Sequence, residues 1–362
     1  MKTYKIYALP SHTFKEKVSG VDFVRIIQPM KYLDGFEYDG VRFEVKTYNP
    51  KTDDDEDWNW VMQNYDCVYL NYTSNDWGYA VVGCLAQKYK RKIVCDFDDD
   101  LWNILQDNTA YEVYKEDSWG KKVVTAIAGD VHHVTVTNQH LKNSLVHNTA
   151  KESDGVTIIP NYIDLDTYTH RSPFKDRGYY KALHFGSSSH FQSLVSDNFY
   201  KALDRVMREY PNFSFTTIGA FIGKYRQKWG HRYGQDFGDV DVLKWIKKMP
   251  KIMDDVDFML VPLTDNVYNR SKSSIKFLEA SSYKIPGCWQ NIRQYAEIVE
   301  NEKNGLLCTS EEDWYKAITT MLSNAKLRRK MGKNAYKTVE DGWTIQGNVH
   351  KYAEVFKKVL DK

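Results

Sequence analysis

Nowhere in the 362 residues is there an apolar run of the ~18–20 positions that a membrane-spanning helix needs. The opening segment, Met1 to Pro10, lacks the basic-then-apolar order of a secretory leader, so the chain is expected in the cytoplasm. The five cysteines are odd in number and never form Cys-x-x-Cys. That argues against a disulfide frame or a zinc site and for reduced, mostly buried thiols. No Gly-x-Gly-x-x-Gly follows the first apolar run, where Lys5–Leu9 gives way to Pro10-Ser-His-Thr. A two-domain oxidoreductase or epimerase is discarded on that ground. Walker loop, nucleophile elbow and paired Cys/His ligands are also missing, as are repeats and low-complexity tracts. Lysine and arginine (50) nearly balance aspartate and glutamate (48). A net charge of +2 is too mild to announce nucleic acid, although a basic face can be balanced by acid elsewhere.

What is present suits two α/β domains. Hydrophobic residues make up 42% and charged residues 27%, an ordinary globular balance, and aromatics reach 14% with 26 tyrosines. Short apolar runs at Lys5–Leu9, Val41–Thr47, Cys67–Leu70, Lys92–Cys95 and Val134–Thr137 predict strands. Helical patterns lie between them at Val21–Leu33, Trp58–Tyr65, Tyr79–Gln87 and Lys121–Ala128. The acidic run Asp53–Asp57 reads as a solvated loop. After Val156–Pro160 and a polar linker the pattern restarts. Strands are expected at Ala182–Phe185, Phe213–Ile218, Phe258–Pro262 and Leu306–Cys308. Helices are expected at Phe191–Glu209, Val240–Met249, Ser273–Tyr283, Gln294–Glu300, Glu311–Ser323, Ala325–Val339 and Gln346–Leu360. The fold class is therefore α/β, with two Rossmann-like domains facing a central cleft: residues 1–165, residues 166–343, and a closing helix, 344–362, that returns toward the first domain.

Three constellations carry chemistry. Asn269-Arg-Ser-Lys272-Ser273-Ser-Ile-Lys276-Phe-Leu-Glu279 follows a strand and opens a helix. Free N–H groups there suit a diphosphate; Lys272 and Lys276 share one helical face, and Glu279 could grip a ribose diol or a sugar hydroxyl pair. A surface helix with ion pairs is the plainer alternative. Phe185-Gly186-Ser187-Ser188-Ser189-His190 reads as a second anion nest, a glycine and small hydroxyls before a helix, and Gly219 closes the next strand. Asp96-Phe-Asp98-Asp99-Asp100-Leu-Trp102 ends a strand at the cleft mouth. Its crowded carboxylates suit a base for an acceptor hydroxyl, a divalent metal, or simply a capped helix start. His190 is a functional candidate, whereas His132, His133 and His184 read as packed side chains.

The 269–286 segment resembles the donor-binding region of the retaining group 1 glycosyltransferases, enzymes of GT-B architecture. In that family two glutamates stand eight apart, followed by a small-residue helix, Gly-x-Pro, a strand and a Glu-Asn-Gly-like turn. Here Glu279, Ile285-Pro286, Tyr295-Ala-Glu-Ile-Val299 and Asn304-Gly-Leu-Leu307 keep the spacing, but Ser271 holds the place of the first glutamate. Asn-x-x-Lys-Ser-x-x-Lys-x-x-Glu and the Asp-x-Asp-Asp-Asp-Leu motif resemble a shorter subgroup frequent in bacteriophage genomes. Ile159-Pro-Asn161-Tyr-Ile-Asp164 is similar to the family's interdomain crossover, and Gly20-Val-Asp-Phe-Val-Arg25 to its first glycine-rich loop and helix. The resemblance implies transfer, with retention, of a hexosyl or pentosyl group from a nucleotide-sugar, a UDP-sugar foremost. Donor contacts are then expected from Gly186, Ser187, Ser188, Ser189, His190, Gly219, Asn269, Lys272, Ser273, Lys276 and Glu279. Catalytic groups are expected among Asp98, Asp99, Asp100 and Glu279, with Gly20, Arg25, Asp96 and Asp98 on the acceptor side. No cofactor is required on this reading, a divalent metal being the lesser alternative. The acceptor is a surface glycan, a lipid-linked sugar or a hydroxymethylated base of phage DNA; the last would call on Lys88–Lys92 and Lys224–Lys228 as a basic face. A catalytically inactive nucleotide-sugar binder of the same fold is the rival reading.

Overall fold

The structure, a computed structural model, describes residues 1–13, 17–49, 57–168, 178–186, 188–236 and 241–362. Ser187 and most of the acidic run, residues 53–56, lie outside them. Two parallel sheets organise these residues. The first has the order β2-β3-β1-β4-β5-β6-β7, with β1 Lys2–Leu9, β2 Glu37–Tyr38, β3 Val41–Thr47, β4 Cys67–Asn71, β5 Lys92–Phe97, β6 His133–Val136 and β7 Val156–Ile158. Only the short β2 runs antiparallel to its neighbour. The second sheet has the order β10-β9-β8-β11-β12-β13, with β8 Tyr180–Phe185, β9 Phe213–Ile218, β10 Tyr233–Asp236, β11 Phe258–Val261, β12 Gly287–Gln290 and β13 Leu306–Cys308. From β8 outward the order is 3-2-1-4-5-6, so the chain reverses direction at the middle of the sheet. The two-domain α/β expectation holds.

Central strands such as Cys67-Val-Tyr-Leu-Asn71 are buried along their whole length because helices cover both sheet faces. Apolar clusters lie on each face of each sheet. The last helix, His350–Leu360, packs Tyr352, Ala353, Val355, Phe356 and Val359 against Tyr4, Ile6, Met30 and Tyr69 of the first domain. Some elements differ from the sequence expectation. The helix expected over Phe191–Glu209 breaks into Phe191–Leu194 and Asp197–Glu209, and the closing helix into Ile345–Asn348 and His350–Leu360. Strands β2, β10 and β12 and the helix Gln139–Asn148 carry too few apolar residues in a row to be read in advance. No helix among the described residues is long and apolar enough to cross a membrane.

The first long helix contains a π-turn, Phe23–Ile27, and Pro29 explains it. Proline cannot donate to the Arg25 carbonyl four residues back, and the Tyr69 hydroxyl donates to that carbonyl instead, at 3.3 Å. The wider turn carries the Arg25 side chain, fully buried. It donates to both oxygens of Asp96, at 2.9 and 2.7 Å, to the Ile159 carbonyl at 2.7 Å and to Asn161 at 2.9 Å. Thr135 donates to the same carboxylate, and the Tyr69 hydroxyl, 3.2 Å from it, shares its one proton between this oxygen and the Arg25 carbonyl. Removing one partner of such a pair leaves a buried, unpaired charge, at a cost of ~3–5 kcal/mol. Arg25→Met is therefore expected to lower first-domain stability by about that amount in chemical denaturation. The double change Arg25→Met/Asp96→Leu should be less harmful than the single one, and equal losses would contradict a desolvated pair.

Candidate active site

A cavity of about 590 Å³ opens between the carboxyl ends of the two sheets. Second-domain residues form most of its wall. Helix Ile275–Ser282 begins at Ser274, whose side chain makes no capping bond, and Ser273, Ile275 and Lys276 at this start line the cavity. Lys272, Ser273, Lys276 and Glu279 all line it. Lys276 donates to Nε2 of His190 at 3.0 Å, which places the imidazole proton on Nδ1, itself buried without a partner. Burial, then the charges of Lys276, Lys272 and His184, hold His190 neutral, well below its usual range. Burial and the neighbouring Lys272 charge pull Lys276 down to about 8. Burial pushes Glu279 up to about 7, with Lys276 opposing, and the Tyr168 hydroxyl donates to its carboxylate at 3.5 Å. The lysines and the glutamate thus carry charges that burial disfavours, in a space with room for a charged ligand.

The phosphate-turn candidates divide. Gly186, His190 and Gly219 line the cavity, whereas Ser189 does not. A Cβ on Gly186 would stand 2.8 Å from the His190 ring and 3.0 Å from Lys276 Cε, so the close approach of those two groups depends on glycine. Gly219 takes φ +83°, in the left-handed region. Asn269 stands off the cavity. It braces the loop, donating to the Thr264 carbonyl at 2.8 Å, and its own carbonyl accepts from Gln294 at 2.9 Å.

The acidic motif is split by burial. Asp96 faces inward to Arg25, and Asp100 is fully buried, bonded to Trp102 N, Asn103, Ser144 and, across the cleft, Ser271 at 3.3 Å. Neither is among the residues that line the cavity; both hold it together. Arg25 touches its wall but spends its donors on Asp96, Ile159 and Asn161. Asp98 and Asp99 do face the cavity, as does the open backbone of Gly20. Burial, then the carboxylates of Asp99 and Asp96, push Asp98 up to about 7, and its Oδ1 has no partner. Asp99 reaches Lys272 at 3.5 Å. Asn161 donates to Ser273 at 2.8 Å and Asn108 to Tyr268 at 2.8 Å, so several polar contacts tie the domains around the site. No three His, Cys, Asp or Glu side chains gather as metal ligands among the described residues.

His12 belongs to the loop Ser11–Gly20, which the sequence assigns to the acceptor side without singling out the histidine. It sits just after the carboxyl end of β1, its ring against Tyr72 at 4.7 Å and its Nδ1 3.6 Å from the buried Asp22 carboxylate. Its position just after the first strand was the available signal. Tyr268, over whose ring Lys272 lies at 4.6 Å, left no signal at all. The two basic segments are elsewhere. Lys88–Lys92 leads into the amino end of β5, away from the cleft; Lys228 pairs with Asp204 at 2.8 Å and Lys224 lies over Tyr200. His132 accepts from Ile93 N, His133 bonds Thr157 and His184 bonds the Leu260 carbonyl, all packing roles. Gly186→Ala is expected to destabilise the second domain by ~1–3 kcal/mol through overpacking. The same change should weaken any anion binding at Lys276, and a variant indistinguishable from wild type in both denaturation and anion titration would refute this packing.

Residues 182–324 match the sequence model of a family described as glycosyl transferases group 1. No curated protein matches the sequence. The fold of the whole chain is similar to solved structures. Anabaena Alr3699/HepE, in a complex with UDP and glucose, superposes with a TM-score of 0.65 at 14% identity, over 98% of this chain and 99% of its own. Sucrose-phosphate synthase from Thermosynechococcus elongatus gives 0.64 at 13%, over 99% of both chains, and a glycosyltransferase from Rickettsia africae gives 0.61 at 12%, again over 99% of both. The chain therefore has the GT-B fold, and its second domain carries the group 1 glycosyltransferase match.

Proposed function

We propose that the protein is a glycosyltransferase that moves a sugar from a nucleoside diphosphate donor, UDP-linked in the first instance, to an acceptor hydroxyl. The observation that carries this is the meeting, in one cavity, of Lys272, Lys276 and an uncapped helix start on one side with Asp98 and Asp99 on the other. The diphosphate lies against the lysines and the helix N–H groups. The base takes the apolar wall of Phe185, Ile218, Val242 and Trp245, and Glu279 accepts hydroxyl hydrogen bonds. When the bond between the anomeric carbon and the diphosphate oxygen breaks, the leaving group keeps the electron pair, and Lys272 and Lys276 stabilise its charge. The acceptor oxygen bonds to the anomeric carbon, and its proton passes to the Asp98 side of the cleft, where His12 also stands. Retention of configuration follows the resemblance to the retaining group. Ser271, at the place of the family's first glutamate, bonds Asp100 of the opposite domain, while Asp98 and Asp99 line the cavity. A HepE structure holding UDP favours the UDP-linked donor. A surface glycan and a hydroxymethylated base of phage DNA are the acceptors weighed.

UDP should raise the melting temperature of the wild-type protein by mass action, and Lys276→Ala should lose most of that shift. Glu279→Ala should cut donor turnover by tenfold or more, as read by UDP release. Full turnover in that variant removes Glu279 from the site. The pH profile of kcat/KM should be bell-shaped. Asp98 and Glu279, both pushed up to about 7, must lose protons on the acid limb, and Lys276, pulled down to about 8, must keep its own on the alkaline limb. Asp98→Asn should abolish turnover while leaving the UDP shift in place.

A further inference from the structure

Two tryptophans stand in solvent at the rim of the first domain: Trp77 is 78% exposed and Trp119 65%. Both sit in the first turn of a helix whose amino end points to the cleft side of the sheet, Asp76–Tyr89 after β4 and Trp119–Asp130 before β6. They are held together. The Trp119 indole N–H donates to the Asp76 carboxylate at 3.0 Å, and that carboxylate also receives the Trp77 backbone N–H at 2.9 Å. Ser118 fixes the start of the Trp119 helix by capping Lys121 N and donating to the Val113 carbonyl. The platform joins the active site. Lys121 donates to the Trp102 carbonyl at 3.2 Å, in the loop that begins with Asp98. Tyr72 stacks on Phe97 at 5.3 Å and meets Tyr114 at 6.3 Å. Burial and then the Asp98 and Asp99 carboxylates hold the Tyr72 phenol up, so these groups are neighbours.

Leaving an indole exposed forgoes ~1.5–3 kcal/mol of burial, and Trp77 and Trp119, neighbours through Asp76, do so without any packing gain in the free protein. We propose that Trp77 and Trp119, with Asp76 between them, form a platform on which a neutral oligosaccharide acceptor stacks as it enters the cleft. A sugar ring offers a C–H face to an aromatic ring and hydroxyl edges to a carboxylate, and this surface has both. Charge decides against a polynucleotide. Apart from the buried Asp96 and Asp100, residues 96–121 carry six carboxylates and two lysines, and those lysines are paired with Glu112 and Glu116 at 2.5 and 2.6 Å. A nucleic-acid groove needs unpaired cations where this rim has an excess of acid. The inference rests on the transferase reading only in taking the Asp98 side as the acceptor side.

The test is binding of the full chain to an array of immobilised neutral oligosaccharides, beside a single-stranded oligonucleotide and a duplex. The wild type should bind at least one saccharide and neither nucleic acid. Trp77→Ala and Trp119→Ala should each weaken that binding by ~10-fold, equivalent to about 1.4 kcal/mol, and phenylalanine at either position should restore part of it. All four variants should keep the wild-type UDP thermal shift, which reads the donor site alone. Saccharide binding that ignores both tryptophans, binding to no saccharide on the array, or salt-dependent binding of the oligonucleotide would each overturn the platform. Tryptophan-dependent saccharide binding with no UDP shift would instead count against the donor reading and leave the platform standing.

Discussion

Two lysines and three carboxylates share one cavity in this protein without fully neutralising one another. Lys272 has Asp99 at 3.5 Å, a loose pair, and Lys276 donates to a neutral histidine rather than to a carboxylate. Burial therefore acts on each charge, pulling Lys276 down and pushing Glu279 and Asp98 up. A cavity in that condition is set to gain from a ligand that brings negative charge to the lysines. The folded scaffold supplies the energy that keeps it so. Two sheets with both faces covered, and a buried Arg25–Asp96 pair reaching through Asn161 to Ser273, hold the opposing groups in place.

The same constraint accounts for how the acidic motif is used. Four aspartates in five residues could not all face one cavity ionised. Asp96 is neutralised by Arg25 inside the first domain, Asp100 is consumed by hydroxyl, amide and N–H donors that include Ser271 of the second, and Asp98 and Asp99 remain facing the cavity. Ser271 thus joins the domains through a short hydroxyl.

Much of this was legible in the sequence because it follows from periodicity and from strand ends. Runs such as Phe213–Ile218 located both sheets, and Lys272 and Lys276 do meet in one cavity, although Lys272 precedes the helix Ile275–Ser282 and does not share a helical face with Lys276 as the spacing predicted. Burial was not legible. Arg25, Asp96 and Asp100 look like cleft groups in a linear reading, and only the packing around the π-turn and the partners across the cleft turn them inward. His12 was not singled out because its value lies in the buried Asp22 and in Tyr72, which folding brings from a distance. Strands β10 and β12, Tyr-Gly-Gln-Asp and Gly-Cys-Trp-Gln, have little pattern of their own and form because a neighbouring strand offers a ladder. The exposed Trp77 and Trp119 are indistinguishable from core residues until their helices are placed.

On the proposed function, a diphosphate binds beside Lys276, whose charge burial has suppressed. Calorimetric titration with UDP at pH 8, in buffers of differing ionisation enthalpy, counts the protons exchanged on binding. A bound diphosphate raises the pKa of Lys276 from about 8, so the protein should take up a measurable fraction of a proton, and Lys276→Met should take up less. Binding of UDP with no proton uptake, or with uptake unchanged in that variant, would contradict the account.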